Sequence, residues 1–350
     1  MAGKRAAAAS GAGAPAVPAG VKVETRNDGA VVVSVPDVPG FWRAEGPASL
    51  AFGLLVSSYL LWPLAFVALL YALPAKVRVV AVALYATTFF DGSERRTGRP
   101  SRAVRLSTWW QNSWRYLDMK MVRTVPLEPN KQYIFGWSPH GILLLSRISY
   151  YAGIFETLFP GVECRVLAAS PMFYVPFVRD ICLALNAVDA SRRSAMNVLK
   201  AGLSLMLYPG GSREIFTTDA TKPDQLYLSG RKGFIALALT HGCDLVPTYV
   251  FNEKNSYKRK LVPPAVRTWF LQHLKIPLIV FYGRFLTLLP FRQRNGLLIV
   301  VGAPLPVERM DSPTQEQIDA LHAKYVAAVR ELYNKWREEA GCGTEDVIIT

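Results

Sequence analysis

The chain has 350 residues, 51% of them hydrophobic, and a formal net charge of +14 from 40 Lys and Arg against 26 Asp and Glu. That length gives room for one large domain with an appendage, and the charge points to an anionic partner: nucleic acid, an anionic membrane face or a phosphorylated substrate. With no zinc-finger spacing, RNP-type motif or heptad array, nucleic acid ranks last and none is expected; the scattered Cys164, Cys182, Cys243 and Cys342 form no C-x-x-C pair and read as reduced thiols of a cytosol-facing protein.

Residues 1–20 are Ala, Gly and Pro with Lys4 and Arg5, a composition that builds no core and predicts disorder. Val21 to Pro39, with Val31-Val32-Val33, holds a short strand or an extended arm, so residues 1–45 read as an N-terminal arm. Leu50 to Ala75 carries no charge, and about 20 apolar residues suffice to cross roughly 30 Å of hydrocarbon. Pro63 is tolerated in such a span, and a buried soluble helix this long would show a polar face. A second apolar run, Val79 to Phe90, is too short to span alone. Arg95, Arg96, Arg99, Arg102 and Arg105 follow it, and the positive-inside rule places them in the cytosol. Residues 46–92 therefore read as a transmembrane or re-entrant hairpin with both ends cytosolic, a single span being the alternative.

From Trp109 short strands and helices alternate, which gives residues 93–340 an α/β fold: a mostly parallel sheet covered by helices. Tyr133 to Trp137 is a buried strand broken by Pro139 and Gly141, and Ile142 to Tyr151 is long enough for a helix. Cys164 to Ala169 is a strand and Met172 to Leu185 a helical stretch. Asp189 or Ser191 caps the next helix, which ends near Gly202. Leu203 to Tyr208 is a buried strand that ends in Pro209-Gly210-Gly211-Ser212-Arg213-Glu214. Arg231-Lys232-Gly233 opens a helix to His241 with Gly242 as its stop. Asp244 to Phe251 is a strand that Pro247 marks as an edge or a start.

Between Lys254 and Val307 stand nine basic residues and no acidic one, interleaved with Trp269-Phe270-Leu271 and Phe285-Leu286-Thr287-Leu288-Leu289. That mixture suits a surface resting on anionic headgroups. Leu297 to Val301 is the last strand. The closing helix begins with the capping-box pair Thr314 and Gln317, buries a stripe of Ile318, Leu321, Tyr325, Val329, Leu332 and Trp336, and ends at Gly341. Residues 341–350 are the C-terminal tail.

Two punctuated turns, each following a buried strand, meet at one sheet edge if those strands are parallel, and that edge is where α/β proteins bind ligands. One turn presents His140 and the other Glu214. A neutral imidazole takes up a proton near pH 7, and a carboxylate on one ring nitrogen would fix the tautomer that leaves the other free. Gly136, Gly141, Gly210 and Gly211 allow close approach, and the N–H groups following Gly141 and Gly211 are candidates to hold an oxyanion. A buried structural histidine and an ordinary loop carboxylate are the competing readings. No histidine pair has ligand spacing, and no metal is expected.

Several separated blocks resemble the type-2 diacylglycerol acyltransferase family, which includes monoacylglycerol and wax-ester acyltransferases. Tyr133-Ile134-Phe135-Gly136-Trp137-Ser138-Pro139-His140-Gly141 is similar to its H-P-H-G block and Pro209 to Glu214 to its P-G-G-x-x-E block. Arg231-Lys232-Gly233-Phe234, Leu245-Val246-Pro247 and Phe251-Asn252-Glu253 resemble its R-K-G-F … L-V-P … F-G-E segment, and Val300 to Leu305 its V-G-x-P-I ending. The resemblance covers residues 45 to 340. It departs at Ser138, which stands where the family has its first histidine and puts the substrate preference in question. Leu145 also stands where the wider glycerolipid acyltransferases carry the Asp of H-x-x-x-x-D, so Glu214 or a backbone carbonyl must orient His140.

The resemblance implies acyl transfer from acyl-CoA to diacylglycerol, forming triacylglycerol, with acyl-CoA as co-substrate and no cofactor. The acceptor hydroxyl would attack the thioester directly, with His140 as general base. Monoacylglycerol and fatty alcohol are the alternative acceptors. It also implies membrane lipids as partners and an endoplasmic reticulum membrane or lipid-droplet location with the catalytic domain facing the cytosol; a homo-oligomer is left open. The candidate substrate contacts are Ser138, Pro139, Gly141, Gly210, Gly211, Arg213, Arg231, Lys232 and Gly233. Arg231 and Lys232 would either hold the CoA phosphates at a helix N-terminus or face headgroups. Two further readings stay open: a hydrolase using Ser138, although Gly136-Trp137-Ser138-Pro139-His140 lacks the second glycine of G-x-S-x-G, and a catalytically silent lipid-surface protein.

Overall fold

The apolar runs of the sequence become neighbouring strands of one sheet. The computed structural model describes residues 17–36, 50, 53, 61, 63–260, 262–274, 278–344 and 346–350. Of the disorder expected for residues 1–20, residues 1–16 lie outside them, as does most of the first limb of the apolar hairpin, whereas residues 17–20 form a turn against the domain, with Gln111 donating to Ala19 O at 2.8 Å. In chain order the strands are β1 Lys22–Thr25, β2 Val31–Ser34, β3 Met119–Arg123, β4 Tyr133–Ser138, β5 Cys164–Ala168, β6 Ala187–Asp189, β7 Ser204–Leu207, β8 Gln225–Leu226, β9 Asp244–Phe251, β10 Lys258–Lys260, β11 Val280–Tyr282, β12 Leu297–Val301 and β13 Ile348–Ile349. Nine of them form a sheet in the order β1-β2-β3-β12-β9-β4-β7-β5-β6. The block β9-β4-β7-β5-β6 is parallel throughout, whereas β12 runs antiparallel to β9 and the β1–β2 hairpin adds antiparallel strands at the far edge. The sheet is thus mixed, with its parallel part where two-sided burial favours continuous apolar strands.

Successive side chains of a strand point to opposite faces, and the central strands serve two cores accordingly. Tyr133, Phe135 and Trp137 of β4 join one cluster with Phe155, Phe159 and Trp114. Ile134 joins the other, with Phe234 and the stripe Tyr325, Val329 and Trp336 of the helix Gln315–Trp336. That helix starts with the expected capping box between Thr314 and Gln317. Residues 346–350 also pack: β13 pairs with β8, and Val347 is buried.

Three expectations change. Ile142 to Tyr151 is no α-helix but turns followed by a 3₁₀ helix, Leu145–Tyr150, because Gly141 (φ 63°) and Leu144 (φ 51°) sit in the left-handed region where a right-handed helix cannot propagate. The stretch Met172 to Leu185 splits into a 3₁₀ turn, Ser170–Phe173, and the helix Val178–Ala184, with Phe177 at φ 64° after Pro176. Pro247 does not mark an edge or a start: β9 is central, between β12 and β4. Its missing N–H falls opposite Gly302, one residue past the end of β12, where the ladder has stopped and Gly302 N–H still donates to Pro247 O at 2.9 Å.

Where described, the hairpin region is helical at 63–72 and Ala75–Thr87, with a break at Leu73-Pro74. Among the described residues no helix is long and apolar enough to cross a membrane. The surfaces of both pieces are nonetheless apolar: Leu64, Leu69, Tyr71, Val79, Val80 and Leu84 are all more than half exposed. The second helix is anchored to the domain at its end. Tyr85 stacks on Phe177 and its hydroxyl donates to Asp180. Arg179, 1% exposed, pairs with Asp91 at 2.8 Å and Glu94 at 2.9 Å and lies over Phe89.

Candidate active site

Three parallel neighbours, β9, β4 and β7, release their chains at the same sheet edge, since Gly136 is level with Leu207 and Ser138 with Tyr249. The turn after β4 carries His140, the turn after β7 leads into the helix Ser212–Thr217 that carries Glu214, and β9 ends just before Glu253. The two turns inferred from the sequence do converge. A third carboxylate joins them.

The half-buried His140 ring is fixed from next door: its Nδ1 lies 2.9 Å from Gly141 O. A carbonyl only accepts, so in the neutral ring Nδ1 holds the proton and Nε2 keeps its lone pair. Burial pushes the imidazole pKa below its usual value, partly offset by that carbonyl. The ring of Tyr208 stands edge-on to His140 at 5.5 Å. Of the two orienting groups considered, the backbone carbonyl is therefore the one on the ring.

Glu214 grips the turn instead of the imidazole. Its Oε2 accepts the His140 backbone N–H at 2.7 Å and its Oε1 the Tyr227 N–H at 2.8 Å. Only 1% of Glu214 is exposed, and burial raises its pKa to about 7 against the pull of those two donors. The glycines explain the fit. A Cβ on Gly210 would collide with the Glu214 carboxyl, and one on Gly136 with the Tyr325 hydroxyl, which donates to Gly136 O at 3.1 Å. Gly211 has φ 57° and ψ −153°, a glycine conformation. Gly211's own N–H closes the turn on Tyr208 O at 3.1 Å, and the oxyanion candidates are the N–H groups that follow Gly141 and Gly211.

The remaining candidates divide. Pro139 and Gly141 line a small cleft with Thr217, Asp219, Asp224 and Lys254. Ser138 is fully buried and its Oγ has no hydrogen-bond partner among the described residues, so no base there activates it and the hydrolase reading finds no support. Arg213 does not pair with Glu214; it lies over the Tyr227 ring and donates to that hydroxyl. Arg231 donates to Gly210 O at 3.3 Å and faces Tyr227. Lys232 pairs with Asp319 on the closing helix at 2.7 Å. Gly233 opens the helix Gly233–His241 with open space where a side chain would be. Arg231 keeps its Nε buried and without a hydrogen-bond partner among the described residues.

Glu253 was not among the candidates, although its block was part of the resemblance. It is 2% exposed, its Oε1 accepts the Ser146 N–H at 3.3 Å, the Leu145 backbone also contributes to holding the carboxylate, and Oε2 is buried with no geometric hydrogen bond among the described residues. Burial raises its pKa to about 7. Gly141 rests directly on it, since a Cβ there would lie 2.7 Å from Glu253 Cγ. Glu214 and Glu253 thus hold the His140-Gly141 turn from two sides. Recognising β9 as central would have found Glu253; Pro247 concealed it. Glu253→Ala leaves the Ser146 N–H unpaired and opens a void under Gly141, so stability measured by melting should fall by about 1–3 kcal/mol and kcat about tenfold. Glu253→Gln keeps an acceptor for Ser146 and should recover most of both. Wild-type kcat in the Ala variant would reduce Glu253 to packing.

Residues 69–350 match the diacylglycerol acyltransferase family. Mouse acyl-CoA wax alcohol acyltransferase 2 is 31% identical over 289 residues, covering 77% of this chain and 86% of that protein. Diacylglycerol O-acyltransferase 1 of Schizosaccharomyces pombe is 31% identical over 274 residues, covering 73% and 76%. Human 2-acylglycerol O-acyltransferase 3 is 31% identical over 263 residues, covering 70% and 76%.

Proposed function

This chain belongs to the diacylglycerol acyltransferase family and is an acyl-CoA acyltransferase, and from that premise we propose that it transfers the acyl group to the free hydroxyl of diacylglycerol, with His140 as general base. The observation that carries this reading is the His140 tautomer at the convergent strand ends: Nδ1–H is tied to Gly141 O, which leaves Nε2 basic. Nε2 takes the hydroxyl proton as the acceptor oxygen attacks the thioester carbonyl carbon. The tetrahedral intermediate then collapses, the carbon–sulfur bond breaks, and the imidazolium returns the proton to the CoA thiolate. The chain needs no nucleophile of its own, because the acceptor alcohol supplies it. A lowered imidazole pKa keeps the base unprotonated at neutral pH.

The exposed apolar helices at 63–72 and Ala75–Thr87 support docking on a membrane, where both the acceptor and the product dissolve. The Arg-rich stretch after them is the basis for a cytosolic site at the endoplasmic reticulum membrane or a lipid droplet. Acceptor choice is the finer part of the proposal, since relatives named for wax alcohol, diacylglycerol and 2-acylglycerol share the same 31% identity with this chain. Membranes containing the protein should convert labelled acyl-CoA and diacylglycerol to labelled triacylglycerol faster than they acylate monoacylglycerol or a fatty alcohol. Faster ester formation on either of the others would move the substrate and keep the chemistry. No transfer to any of the three would overturn the reading.

A further inference from the structure

We infer that the cleft walled by Arg259, Lys260 and Arg267 seats the phosphate groups of the acyl donor's nucleotide. The inference rests on the acyltransferase reading above and concerns the donor half of that site. The cleft is shallow and open to solvent, and Phe216, Val262 and Ile279 are also among its walls. Arg259 and Lys260 come from β10, Arg267 from the helix Pro264–Leu274, and Phe216 from the helix that carries Glu214.

Arg259 and Arg267 both meet Phe216 at this cleft, and Lys260, next to Arg259 on β10, borders it over Tyr282; like charges gathered this way repel one another unless an anion joins them. Protein carboxylates do not fill that role here. Among the described residues none of the three forms an ion pair, whereas Lys232 is matched to Asp319 and Lys254 to Asp224. Asp219 lies within electrostatic reach of Arg259 but is bonded to Thr221. Aromatic faces hold two of the cations instead: Arg267 lies 4.8 Å over Phe216 and Lys260 5.8 Å over Tyr282. A ring face steadies a cation without using up its N–H donors, which then suit phosphate oxygens. Arg259 is oriented by the Ile215 and Phe216 carbonyls at the end of the Glu214 helix. That helix grips the His140 turn at one side and borders the cleft at the other. A donor with its thioester at His140 and its pantetheine arm along this helix would bring its phosphates here.

The test compares two acyl donors on the full-length protein in membranes: acyl-CoA, and the same acyl group on N-acetylcysteamine, which lacks the nucleotide. In Arg267→Gln and Lys260→Gln the preference for acyl-CoA should fall about tenfold each, as expected for one lost charge-assisted contact. The loss should appear as a higher KM more than a lower kcat. Inhibition by adenosine 3′,5′-diphosphate should weaken in parallel. An unchanged preference in both variants overturns the inference. So does an unchanged preference accompanied by weaker binding to phosphatidylserine vesicles, which would assign the cations to anionic headgroups. A wild-type protein inert toward both donors would overturn the acyltransferase reading itself, and this inference with it.

Discussion

His140→Ala should lower acyl transfer about 10²- to 10⁴-fold, the usual cost of losing a general base, while leaving the fold intact. Among the described residues the ring makes one polar contact, to the carbonyl of the next residue, and it is half-buried at the sheet edge, so its removal disturbs little else. The pH profile gives a second readout. Catalysis needs the neutral ring, and burial holds its pKa below the ordinary 6.5. Wild-type activity should therefore rise with pH through that lowered value, level off by neutrality, and fall again on acidification. The residual rate of the alanine variant should lack that inflection. Retained activity in His140→Ala would remove the imidazole from the mechanism.

Glu214→Gln and Gly210→Ala should each reduce kcat about ten- to a hundredfold, by two routes to one lesion. Both oxygens of Glu214 accept backbone N–H groups, from His140 and Tyr227. An amide offers one acceptor, so one buried N–H would face an NH₂ donor at a cost of about 1–3 kcal/mol. Alanine at 210 would occupy the space of the Glu214 carboxyl and force it off the turn. Either change frees the His140 backbone and misplaces Nε2 by a margin that approach geometry does not tolerate. The chemistry of the carboxylate also predicts a stability effect. A folded-state pKa of about 7 against an ordinary 4.5 means that the native protein retains a proton which the unfolded chain releases between those values. Stability from this group is thus fully present below pH 4.5 and is lost as pH climbs to about 7. Melting between pH 5 and 8 should fall less steeply in Glu214→Gln than in wild type. Equal slopes together with wild-type kcat would show that the two N–H bonds do not govern the turn.

Much of this site was legible in advance because its chain-local ingredients are. Tyr133 to Trp137 announces a strand by its aromatic and β-branched run, Pro139 and Gly141 announce its end, and Pro209-Gly210-Gly211 repeats the pattern after Leu203 to Tyr208. Convergence of the two turns followed once the strands were taken as parallel. Partner choice was not legible. The sequence put a basic pair, Arg231-Lys232, at a helix start, where a phosphate site is a natural reading, yet Lys232 is held by Asp319, 87 positions away. Pro247 argued for an edge strand because the local rule counts a missing donor; only the pairing showed that the missing donor falls just past the end of β12, in a strand that is otherwise central.

By itself the sequence determined the α/β alternation, the apolar strands β4, β7, β9 and β12, the capped closing helix and the glycines at both turns, since periodicity, capping and backbone freedom act over a few residues. The tertiary structure decided that Glu214 grips a backbone N–H and not the imidazole, that Gly141 O sets the tautomer, and that Glu253 completes the clamp. Those outcomes depend on strand order, and strand order is chosen by which faces can be buried against each other between segments far apart in the chain.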